Sequence, residues 1–421
     1  MDSIIIEGGV PLTGKVNISG AKNSCLALMA SAILTESPLN LTNVPNLSDI
    51  ATMSLLLNSL GIEVQNCPKK RSVTLVAQNI SNYKADYDIV RKMRASFLVL
   101  GPLLAREGIA KVSLPGGCAI GARAVDLHLE ALRKLGSVLE LENGYVIASA
   151  PRGLVGAEIN FPFKSVGATE NTIMAATLAK GTTIIRNAAQ EPEIGDLINS
   201  LRMMGAQISG KGSSTIEIEG KDSLNGSTHK VISDRIEFGT YLLAAVITKG
   251  KIALIGGQDI LNKEFMNKIE EMGVSYEITT EGLMVDCSDI HLKPIKFTTE
   301  PYPGFPTDLQ AQMMATLTLA DGVSEIDERI FENRFMHVPE LTRMGANIKL
   351  EGTRAIVEGV DHLVGAPVMA TDLRASVAMV IAGLAAKGKS QISRVYHLDR
   401  GYEDIEKKLA QCGAQIKRVQ S

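Results

Sequence analysis

Tryptophan is absent from this chain of 421 residues, and other aromatic residues are few, with 8 tyrosines and 9 phenylalanines. This scarcity disfavours nucleic-acid binding by base stacking. A formal net charge of −3 likewise gives no support to generic binding of nucleic acid or of an anionic membrane. We therefore expect no nucleic-acid partner.

Long apolar runs and the common metal and nucleotide motifs are lacking as well. No stretch reaches roughly 18 uninterrupted apolar residues, so no membrane span is expected, and residues 1–7 lack the features of a signal peptide. The 5 cysteines are widely spaced without a CxxC pair, and His128 and His397 complete no metal-ligand spacing. GxGxxG and Walker motifs are missing. These absences predict a cytoplasmic protein with free thiols and no metal.

What the chain does contain is a sixfold repeat. A glycine that follows Leu, Met or Cys recurs at intervals of 75, 69, 68, 72 and 68 residues, at Gly61, Gly136, Gly205, Gly273, Gly345 and Gly413. A turn that closes an apolar helix and opens a strand also occurs in each copy, at Ser37, Gly108, Gly181, Gly250, Gly322 and Gly388. A fixed period indicates one supersecondary unit used six times. Each recurring glycine suits a helix C′ position, where φ is positive.

The third copy shows the order of elements in the unit. A nearly apolar helix over 167–180 precedes a strand over 182–185. A second helix ends at Met204, and an alternating strand covers 215–219. The order helix, strand, helix, strand, strand predicts an α/β fold with crossovers. Six units divide most simply into two domains of three, and residues 231–235 are a plausible crossing point.

Polar residues and cations recur at one end of the unit. The positions 14 residues before each turn, which we call the slot positions, are Asn23, Arg94, Gly167, Ile236, Asp308 and Arg374. In the loop before the second helix, 13 residues ahead of the recurring glycine, lie Ser48, Arg123 and Arg400, with Arg334 nearby in the fifth copy. A pseudo-symmetric array brings such positions together. Several buried cations at one pole are costly unless an anion occupies it, so the pattern predicts an anion site.

Cys118 and Lys22 are candidates for chemistry, each with a simpler alternative. Cys118 lies in a glycine-rich loop with Arg123 five residues further on, and loop amides and a guanidinium favour a thiolate or a well-placed acidic proton. The alternative is a Pro-Gly-Gly turn with an incidental small residue. Lys22 and Asn23 follow small residues at a helix start, which suits an anion. The alternative is a solvated lysine beside an asparagine cap.

Asp308 and the arginines also allow two interpretations. Asp308 at a helix start is stabilised by the helix dipole, and among cations it stays ionised and can accept a proton from a hydroxyl. Singly, Arg94 and Arg374 are surface or capping arginines. Arg334 and Arg400 could pair with the carboxylates beside them in sequence.

Several blocks, in order along essentially the whole chain, resemble the UDP-N-acetylglucosamine 1-carboxyvinyltransferases, a family of enolpyruvyl transferases. The blocks are Ser19-Gly20-Ala21-Lys22-Asn23, Met93-Arg94-Ala95-Ser96, Leu114-Pro115-Gly116-Gly117-Cys118, Ile120-Gly121-Ala122-Arg123, Ser165-Val166-Gly167-Ala168-Thr169, Phe305-Pro306-Thr307-Asp308, Glu332-Asn333-Arg334-Phe335, Ala370-Thr371-Asp372-Leu373-Arg374 and Arg400-Gly401-Tyr402. The resemblance implies two inside-out α/β barrel domains, each of three pseudo-symmetric units of about 70 residues. In this resemblance, residues 22–232 would form an inserted domain that carries the Cys118 loop. Residues 1–21 and 233–421 would form the second domain, which carries both termini. The active site would lie in the cleft between the two domains.

The resemblance also implies a reaction, in which phosphoenolpyruvate and UDP-N-acetylglucosamine give the 3-O-enolpyruvyl ether and phosphate by addition and elimination. This reaction is the first committed step of peptidoglycan synthesis. No hydride or electron moves, so no redox cofactor is expected. Fosfomycin, an epoxide, is expected to react with the cysteine.

The same resemblance assigns roles to residues. The catalytic residues are Cys118, Asp308 and Lys22. Phosphoenolpyruvate is expected at Lys22, Asn23, Arg123, Arg334, Arg374 and Arg400. The nucleotide sugar is expected at Asn23, Arg94, Arg123, Ala124, Val125, Asp126, Leu127, Lys164, Ser165, Val166, Gly167, Asp308 and Ile330.

Two departures and three alternatives accompany this assignment. Many family members have lysine in the place of Ser48, so phosphate binding is expected to depend more on Lys22 and Arg123 here. Many also have proline in the place of Ala124, and the alanine is expected to loosen the loop. The 3-phosphoshikimate 1-carboxyvinyltransferases share fold and donor but lack the Pro-Gly-Gly-Cys loop. A non-catalytic sensor of nucleotide sugar, or a plain repeat scaffold, would not need the full set of Cys118, Asp308 and cations.

Overall fold

The computed structural model describes residues 2–115 and 125–420. These residues form two compact units. We call residues 20–115 with 125–232 the inserted unit, and residues 2–19 with 233–420 the terminal unit, because the latter holds both described ends of the chain.

The bounds of the elements are as follows. The strands are β1 (Ser3–Glu7), β2 (Thr13–Asn17), β3 (Leu39–Thr42), β4 (Glu63–Cys67), β5 (Ser72–Val76), β6 (Lys84–Ala85), β7 (Ile109–Ser113), β8 (Val138–Glu142), β9 (Tyr145–Ser149), β10 (Glu158–Asn160), β11 (Thr182–Arg186), β12 (Gln207–Ser209), β13 (Thr215–Glu219), β14 (Ser227–Lys230), β15 (Lys251–Ile255), β16 (Tyr276–Ile278), β17 (Gly282–Asp286), β18 (Lys296–Thr298), β19 (Val323–Asp327), β20 (Asn347–Glu351), β21 (Arg354–Glu358), β22 (Pro367–Met369), β23 (Lys389–Ser393) and β24 (Gln415–Val419). The α-helices are α1 (Lys22–Ser31), α2 (Ser48–Ser59), α3 (Tyr87–Val90), α4 (Leu100–Glu107), α5 (Asp126–Lys134), α6 (Val166–Ala176), α7 (Pro192–Met203), α8 (Arg235–Ile247), α9 (Lys263–Glu271), α10 (Gln310–Leu317), α11 (Val338–Arg343), α12 (Leu373–Ala385) and α13 (Ile405–Gln411). Short 3₁₀ helices cover Ala32–Leu34, Pro68–Lys70, Arg94–Val99, Gln258–Ile260, Thr307–Leu309 and Val395–Arg400.

The described residues form six four-stranded sheets. The same arrangement of paired strands occurs in all six. In the third copy the order is β10-β11-β13-β12, with the first pair parallel and the other two antiparallel. The parallel pair is joined through a buried helix, as a crossover requires. The prediction of an α/β fold built from six copies of one unit is confirmed.

The six recurring glycines have the backbone conformation that the sequence predicts. Their φ angles lie between 91° and 102°, each directly after the second helix of a copy. Side chains with a Cβ are disfavoured at such angles, whereas glycine is not. The backbone conformation at the end of this helix therefore explains why glycine recurs there in every copy.

The first helix of each copy is largely buried, whereas the second helices differ, with 8 of 12 residues buried in α7 and only 3 of 9 in α9. In α8, 12 of the 13 residues are buried, and in α10 all 8 are buried. By contrast, only Phe265, Met266 and Ile269 are buried in α9. Helices that are buried on every side form the centre of each unit, with the sheets around them. The third-copy helix is shorter than predicted, since α6 ends at Ala176.

Three strands join sheets far from their place in sequence. β14 follows the third copy but pairs in parallel with β3 of the first copy. β2, near the start of the chain, pairs with β15 of the fourth copy. β1 lies between β23 and β24 of the sixth copy. The chain thus closes the first, fourth and sixth sheets with strands taken from elsewhere. In the described residues, no helix is long and apolar enough to cross a membrane.

Candidate active site

The six slot positions all lie in the first turn of a helical segment. Four are the second residue of an α-helix, namely Asn23 in α1, Gly167 in α6, Ile236 in α8 and Arg374 in α12. Arg94 and Asp308 lie in 3₁₀ segments that continue into α4 and α10. The repeat therefore places these residues at equivalent points of the three central helices in each unit.

In the terminal unit, Asp308 joins two buried arginines. Its Oδ1 accepts hydrogen bonds from Arg334 Nη2 at 3.0 Å and from Arg374 Nε at 3.1 Å. The arginine side chains are 3% and 8% exposed, whereas the Asp308 side chain is 30% exposed. The carboxylate is thus the accessible member of a cluster whose cations are buried. Arg334 therefore bonds to a carboxylate that is distant in sequence.

The electrostatic environment keeps Asp308 ionised. Burial raises the pKa of Asp308, but the charges of Arg374, Arg334 and Arg235 outweigh burial and hold the pKa well below its ordinary value. For Arg374, burial lowers the pKa, but the charge of Asp308 and other acceptors raises it above its ordinary value. Both side chains are therefore charged at neutral pH. The sequence prediction that Asp308 is surrounded by cations is confirmed.

Arg235 is a member of this cluster that sequence reasoning missed. It is the first residue of α8, directly before the slot residue Ile236, and its guanidinium lies 6.0 Å from the centroid of the Tyr302 ring. Asp234 caps α8, and its charge raises the pKa of Arg374. The cluster therefore holds three arginines and two aspartates. The guanidinium groups of this cluster can bind an anionic ligand.

A buried glutamate shapes the loop that carries Ile330. Glu328, 2% exposed, accepts hydrogen bonds from the hydroxyls of Thr299 at 2.8 Å and Thr307 at 2.9 Å. It also accepts the backbone N–H of Ile330 at 2.9 Å and of Phe331 at 3.2 Å. Because Thr307 precedes Asp308, one carboxylate fixes the loop and the Asp308 helix start together.

Arg400 ends a 3₁₀ helix that packs on α12. The next residue, Gly401, lies so close to Leu373 that a Cβ there would be 2.8 Å from a Leu373 methyl carbon. Tyr402 follows, and its hydroxyl accepts a hydrogen bond from Arg374 Nη1 at 3.2 Å. The fold therefore brings the Arg400 segment to the start of α12. The neighbouring Asp399 is bound by Arg418 at 2.6 Å.

In the inserted unit, Lys22 is buried and paired. It is 8% exposed, and its Nζ lies 3.1 Å from Asp49 Oδ2. The alternative of a solvated lysine beside an asparagine cap is wrong, since Asn23 is exposed and the N-cap residue of α1 is Ala21. Ser48, the departure in the sequence, is exposed at the start of α2 beside Asp49.

The starts of α5 and α6 meet through a histidine. The His128 ring packs against Gly167, where a Cβ would lie 3.2 Å from His128 Cε1 and 3.3 Å from Nε2. The Nδ1 of His128 lies 3.0 Å from the side-chain nitrogen of Asn171, which fixes the ring. Burial and the charge of Arg94 lower the pKa of His128 to about 3, so the ring is neutral. The structure thus brings Arg94, residues 125–127 and Gly167 to one place.

The segment before α6 has the features of an anion site. Ser165 caps the helix by accepting the Ala168 N–H at 3.4 Å, and Lys164 Nζ donates to Gln190 Oε1 at 2.8 Å. The first N–H groups of α6, at Val166 and Gly167, lie beyond the reach of intrahelical partners, and helix starts of this kind favour phosphate. Of the α5 start, Val125 and Leu127 are buried and Asp126 is exposed.

Three predicted site residues, Cys118, Arg123 and Ala124, lie outside the described residues. Two other cysteines are poor nucleophiles. Burial raises the pKa of the Cys25 thiol far above its usual value and that of Cys287 to about 12. Within 2–115 and 125–420, no group of His, Cys, Asp and Glu side chains is arranged to hold a metal ion.

Comparison with known proteins gives matches over the full length. A sequence model of the EPSP synthase family, 3-phosphoshikimate 1-carboxyvinyltransferase, matches residues 6–409. The UDP-N-acetylglucosamine 1-carboxyvinyltransferase of Dinoroseobacter shibae is 60% identical over 419 residues, which is 100% of this chain and 99% of the relative. That of Ruegeria pomeroyi is 58% identical over 419 residues and 100% of both chains.

Solved structures agree with this assignment. The enolpyruvyl transferase NikO from Streptomyces tendae matches with a TM-score of 0.91 and 25% identity, over 100% of this chain and 99% of that one. EPSP synthase from Acinetobacter baumannii matches with a TM-score of 0.78 and 17% identity over 100% of both chains, which supports the fold alone. The chain therefore belongs to the EPSP synthase family of enolpyruvyl transferases and, within it, to the UDP-N-acetylglucosamine 1-carboxyvinyltransferases.

Proposed function

We propose that this chain transfers the enolpyruvyl group of phosphoenolpyruvate to the 3-hydroxyl of UDP-N-acetylglucosamine and releases phosphate, as the first committed step of peptidoglycan synthesis. The observation that carries the proposal is the full-length identity of 60% to a relative with this name. The Asp308–Arg334–Arg374 cluster supports it, because the reaction needs a carboxylate beside cations. The proposed substrates are also the basis for expecting a cytoplasmic location.

The charges of the terminal unit suit phosphoenolpyruvate. The donor carries a carboxylate and a phosphate, and arginines bind both groups through paired N–H donors. Arg334 and Arg374 are held in place by Asp308, and we assign them to the donor together with Arg400, Lys22, Asn23 and Arg123. Preorganised cations in a site of low dielectric stabilise the negative charge that accompanies phosphate departure.

The low pKa of Asp308 affects how this residue works as a base. A carboxylate held by two guanidinium groups is a weak base, since its pKa is far below neutral. When the anionic donor engages Arg334 and Arg374, their charges are shared with it, and the pKa of Asp308 rises. Asp308 then becomes competent to take the hydroxyl proton only after the donor has bound, which limits proton removal to the complete complex.

The proposed chemical step balances as follows. Cys118 supplies the proton that the methylene carbon of phosphoenolpyruvate takes up, and the adjacent carbon becomes electrophilic. The sugar 3-oxygen forms a bond to that carbon while Asp308 removes the hydroxyl proton. In the elimination, the methyl group returns a proton to the Cys118 thiolate and the carbon–oxygen bond to phosphate breaks, which gives the enol ether. Asp308 passes the hydroxyl proton to the departing phosphate. We assign Lys22, buried against Asp49, to the charge of the phosphate that departs.

The inserted unit supplies the proposed nucleotide-sugar site. The start of α6, with Lys164, Ser165, Val166 and Gly167, is assigned to the diphosphate because helix N-termini favour it. Arg94, Asn23 and the segment 123–127 are assigned to the rest of the nucleotide sugar, and Asp308 and Ile330 to the sugar. From the family resemblance alone, we propose domains 22–232 and 1–21 with 233–421, with the active site in the cleft.

Phosphate release tests the function. Purified protein is incubated with phosphoenolpyruvate and with UDP-N-acetylglucosamine, shikimate 3-phosphate or no acceptor. Release that depends on the nucleotide sugar supports the proposal, and release with shikimate 3-phosphate alone would reassign the acceptor. Binding of the nucleotide sugar without release with either acceptor would favour the sensor alternative.

A variant pair sharpens this test. Asp308→Ala is expected to abolish most turnover. Asp286→Ala removes an aspartate of the same unit that is also paired, with Lys251 at 2.9 Å, but exposed, and is expected to be fully active. Equal activity of the two variants would remove the role assigned to Asp308.

A further inference from the structure

A buried tyrosine hydroxyl connects the central helices of the terminal unit. Tyr402 is 2% exposed, and its oxygen lies 3.0 Å from Thr240 Oγ1 of α8. It accepts hydrogen bonds from Gln312 Nε2 of α10 at 3.3 Å and from Arg374 Nη1 of α12 at 3.2 Å. One hydroxyl thus contacts a polar side chain from each of the three copies of this unit.

The Tyr402 hydroxyl has a partner for its proton and two donors to its oxygen. Thr240 Oγ1 donates to the carbonyl of Ile236 at 2.8 Å, so the Tyr402 hydroxyl donates to Thr240 and its oxygen is free to accept from Gln312 and Arg374. Gln312 Nε2 also donates to the carbonyl of Asp308 at 2.9 Å. The hydroxyl thus donates once and accepts twice, which holds it in place between α8, α10 and α12.

The network links all three slot positions of the terminal unit. It runs from the Ile236 carbonyl through Thr240 and Tyr402 to Arg374, and Arg374 in turn bonds to Asp308. The Arg374 guanidinium has Nε committed to Asp308 and Nη1 committed to Tyr402. Two of its five N–H donors are engaged in this way, which leaves donors for a bound anion. The plane of the guanidinium is then fixed by two partners at different edges.

We propose that Tyr402 is a positioning residue for phosphoenolpyruvate, because its hydroxyl fixes the Arg374 guanidinium in the orientation that presents the remaining donors to the anion. This inference rests on the proposed function, in which Arg374 binds the donor. Without the hydroxyl, Arg374 loses one of these two side-chain hydrogen bonds and can rotate about the Asp308 contact. The defect then concerns the donor substrate and not the nucleotide sugar.

Tyr402→Phe tests the inference, because it removes the hydroxyl and keeps the ring. In the full-length protein we expect the KM for phosphoenolpyruvate to rise about tenfold, as for a lost hydrogen bond to a charged group. The KM for UDP-N-acetylglucosamine is expected to stay within about twofold. A merely structural role would lower Tm and leave the KM for phosphoenolpyruvate unchanged, and that result overturns the inference, as does an equal rise of both KM values.

Tyr241→Phe is the matched control. Tyr241 is 1% exposed in the same unit, and its hydroxyl has no hydrogen-bond partner among the described residues. This variant is expected to leave both KM values unchanged. If Tyr402→Phe does not fold, Thr240→Val, which removes the acceptor of the Tyr402 proton, is expected to raise the KM for phosphoenolpyruvate in the same way, and an unchanged KM there overturns the inference.

A binding measurement separates this inference from the proposed function. Inorganic phosphate needs no turnover and is expected to raise Tm less in Tyr402→Phe than in the unaltered protein. If the unaltered protein shows no phosphate release, the proposed function fails while this comparison still tests Tyr402. An equal Tm rise in both proteins overturns the positioning role.

Discussion

Asparagine in place of Asp308 removes the negative charge between two buried guanidinium groups and keeps the shape of the side chain. The two N–O distances are 3.0 and 3.1 Å, and the side chains of Arg334 and Arg374 are buried. Removal of one partner from a buried pair costs about 3–5 kcal/mol of stability. Because Asp308 is 30% exposed and asparagine keeps one acceptor oxygen, we expect a loss of stability at the lower end of this range, about 3 kcal/mol.

Thermal unfolding measures this loss. For a domain of this size, about 3 kcal/mol corresponds to a Tm lowered by roughly 6–12 °C. Added phosphate is expected to recover part of the loss, because it supplies the missing negative charge to the arginines. The control is Asp286→Asn, an exposed pair with Lys251, which is expected to leave Tm nearly unchanged.

The dependence on pH follows from the direction of the pKa shift. The native pKa of Asp308 is depressed, so the unfolded chain binds the proton more readily. The stability that Asp308 contributes is therefore fully present above its unfolded pKa of about 3.9 and is lost as the pH falls below that value. The difference in unfolding free energy between the unaltered protein and Asp308→Asn should be largest at pH 7 and should decrease below about pH 4. A variant as stable as the unaltered protein at pH 7 without phosphate would refute the reasoning.

Three further predictions concern other parts of the chain. Fosfomycin should modify Cys118 rather than Cys25 or Cys287, because burial raises the pKa of those two thiols, and mass spectrometry of peptides would show a label on either of them. Gly167→Ala places a Cβ 3.2 Å from the His128 ring, so the KM for UDP-N-acetylglucosamine should rise severalfold in steady-state assays while that for phosphoenolpyruvate stays the same. Gly205→Ala, at φ of 102°, should lower stability by about 1–2 kcal/mol in thermal unfolding without changing either KM, and an unchanged Tm would contradict the role given to this glycine.

The fold was predictable because local sterics mark each copy. A helix that ends in a left-handed residue favours glycine, and this preference is visible in the sequence without knowledge of the tertiary structure. Gly61 and Gly413, at opposite ends of the chain, have φ angles of 95° and 91°. The partners of β1 and β2 were not predictable, because an alternating strand carries no signal for which distant strand it joins.

The candidate site was only partly predictable from the residues. Slot positions gave Asp308 and Arg374, since a repeat places equivalent residues at equivalent points. The pairing of Asp308 with Arg334 and the burial of Lys22 against Asp49 depend on packing between helices, which sequence spacing does not contain. Tyr402 entered only as part of a block shared with the family, because one tyrosine after a glycine has no pattern that indicates a buried hydrogen-bonding hub.

The placement of β1 has a consequence for the synthesis of the chain. β1 pairs with residues 389–393 and 415–419, so it waits until these distant residues have been made. At about 5–20 residues per second, this delay is roughly 20 to 80 s. All four strands of each sheet in the inserted unit, by contrast, lie between residues 39 and 230. The inserted unit can therefore complete its sheets while β1 and β2 still have open edges, and these two short strands are where premature pairing with other nascent chains would begin.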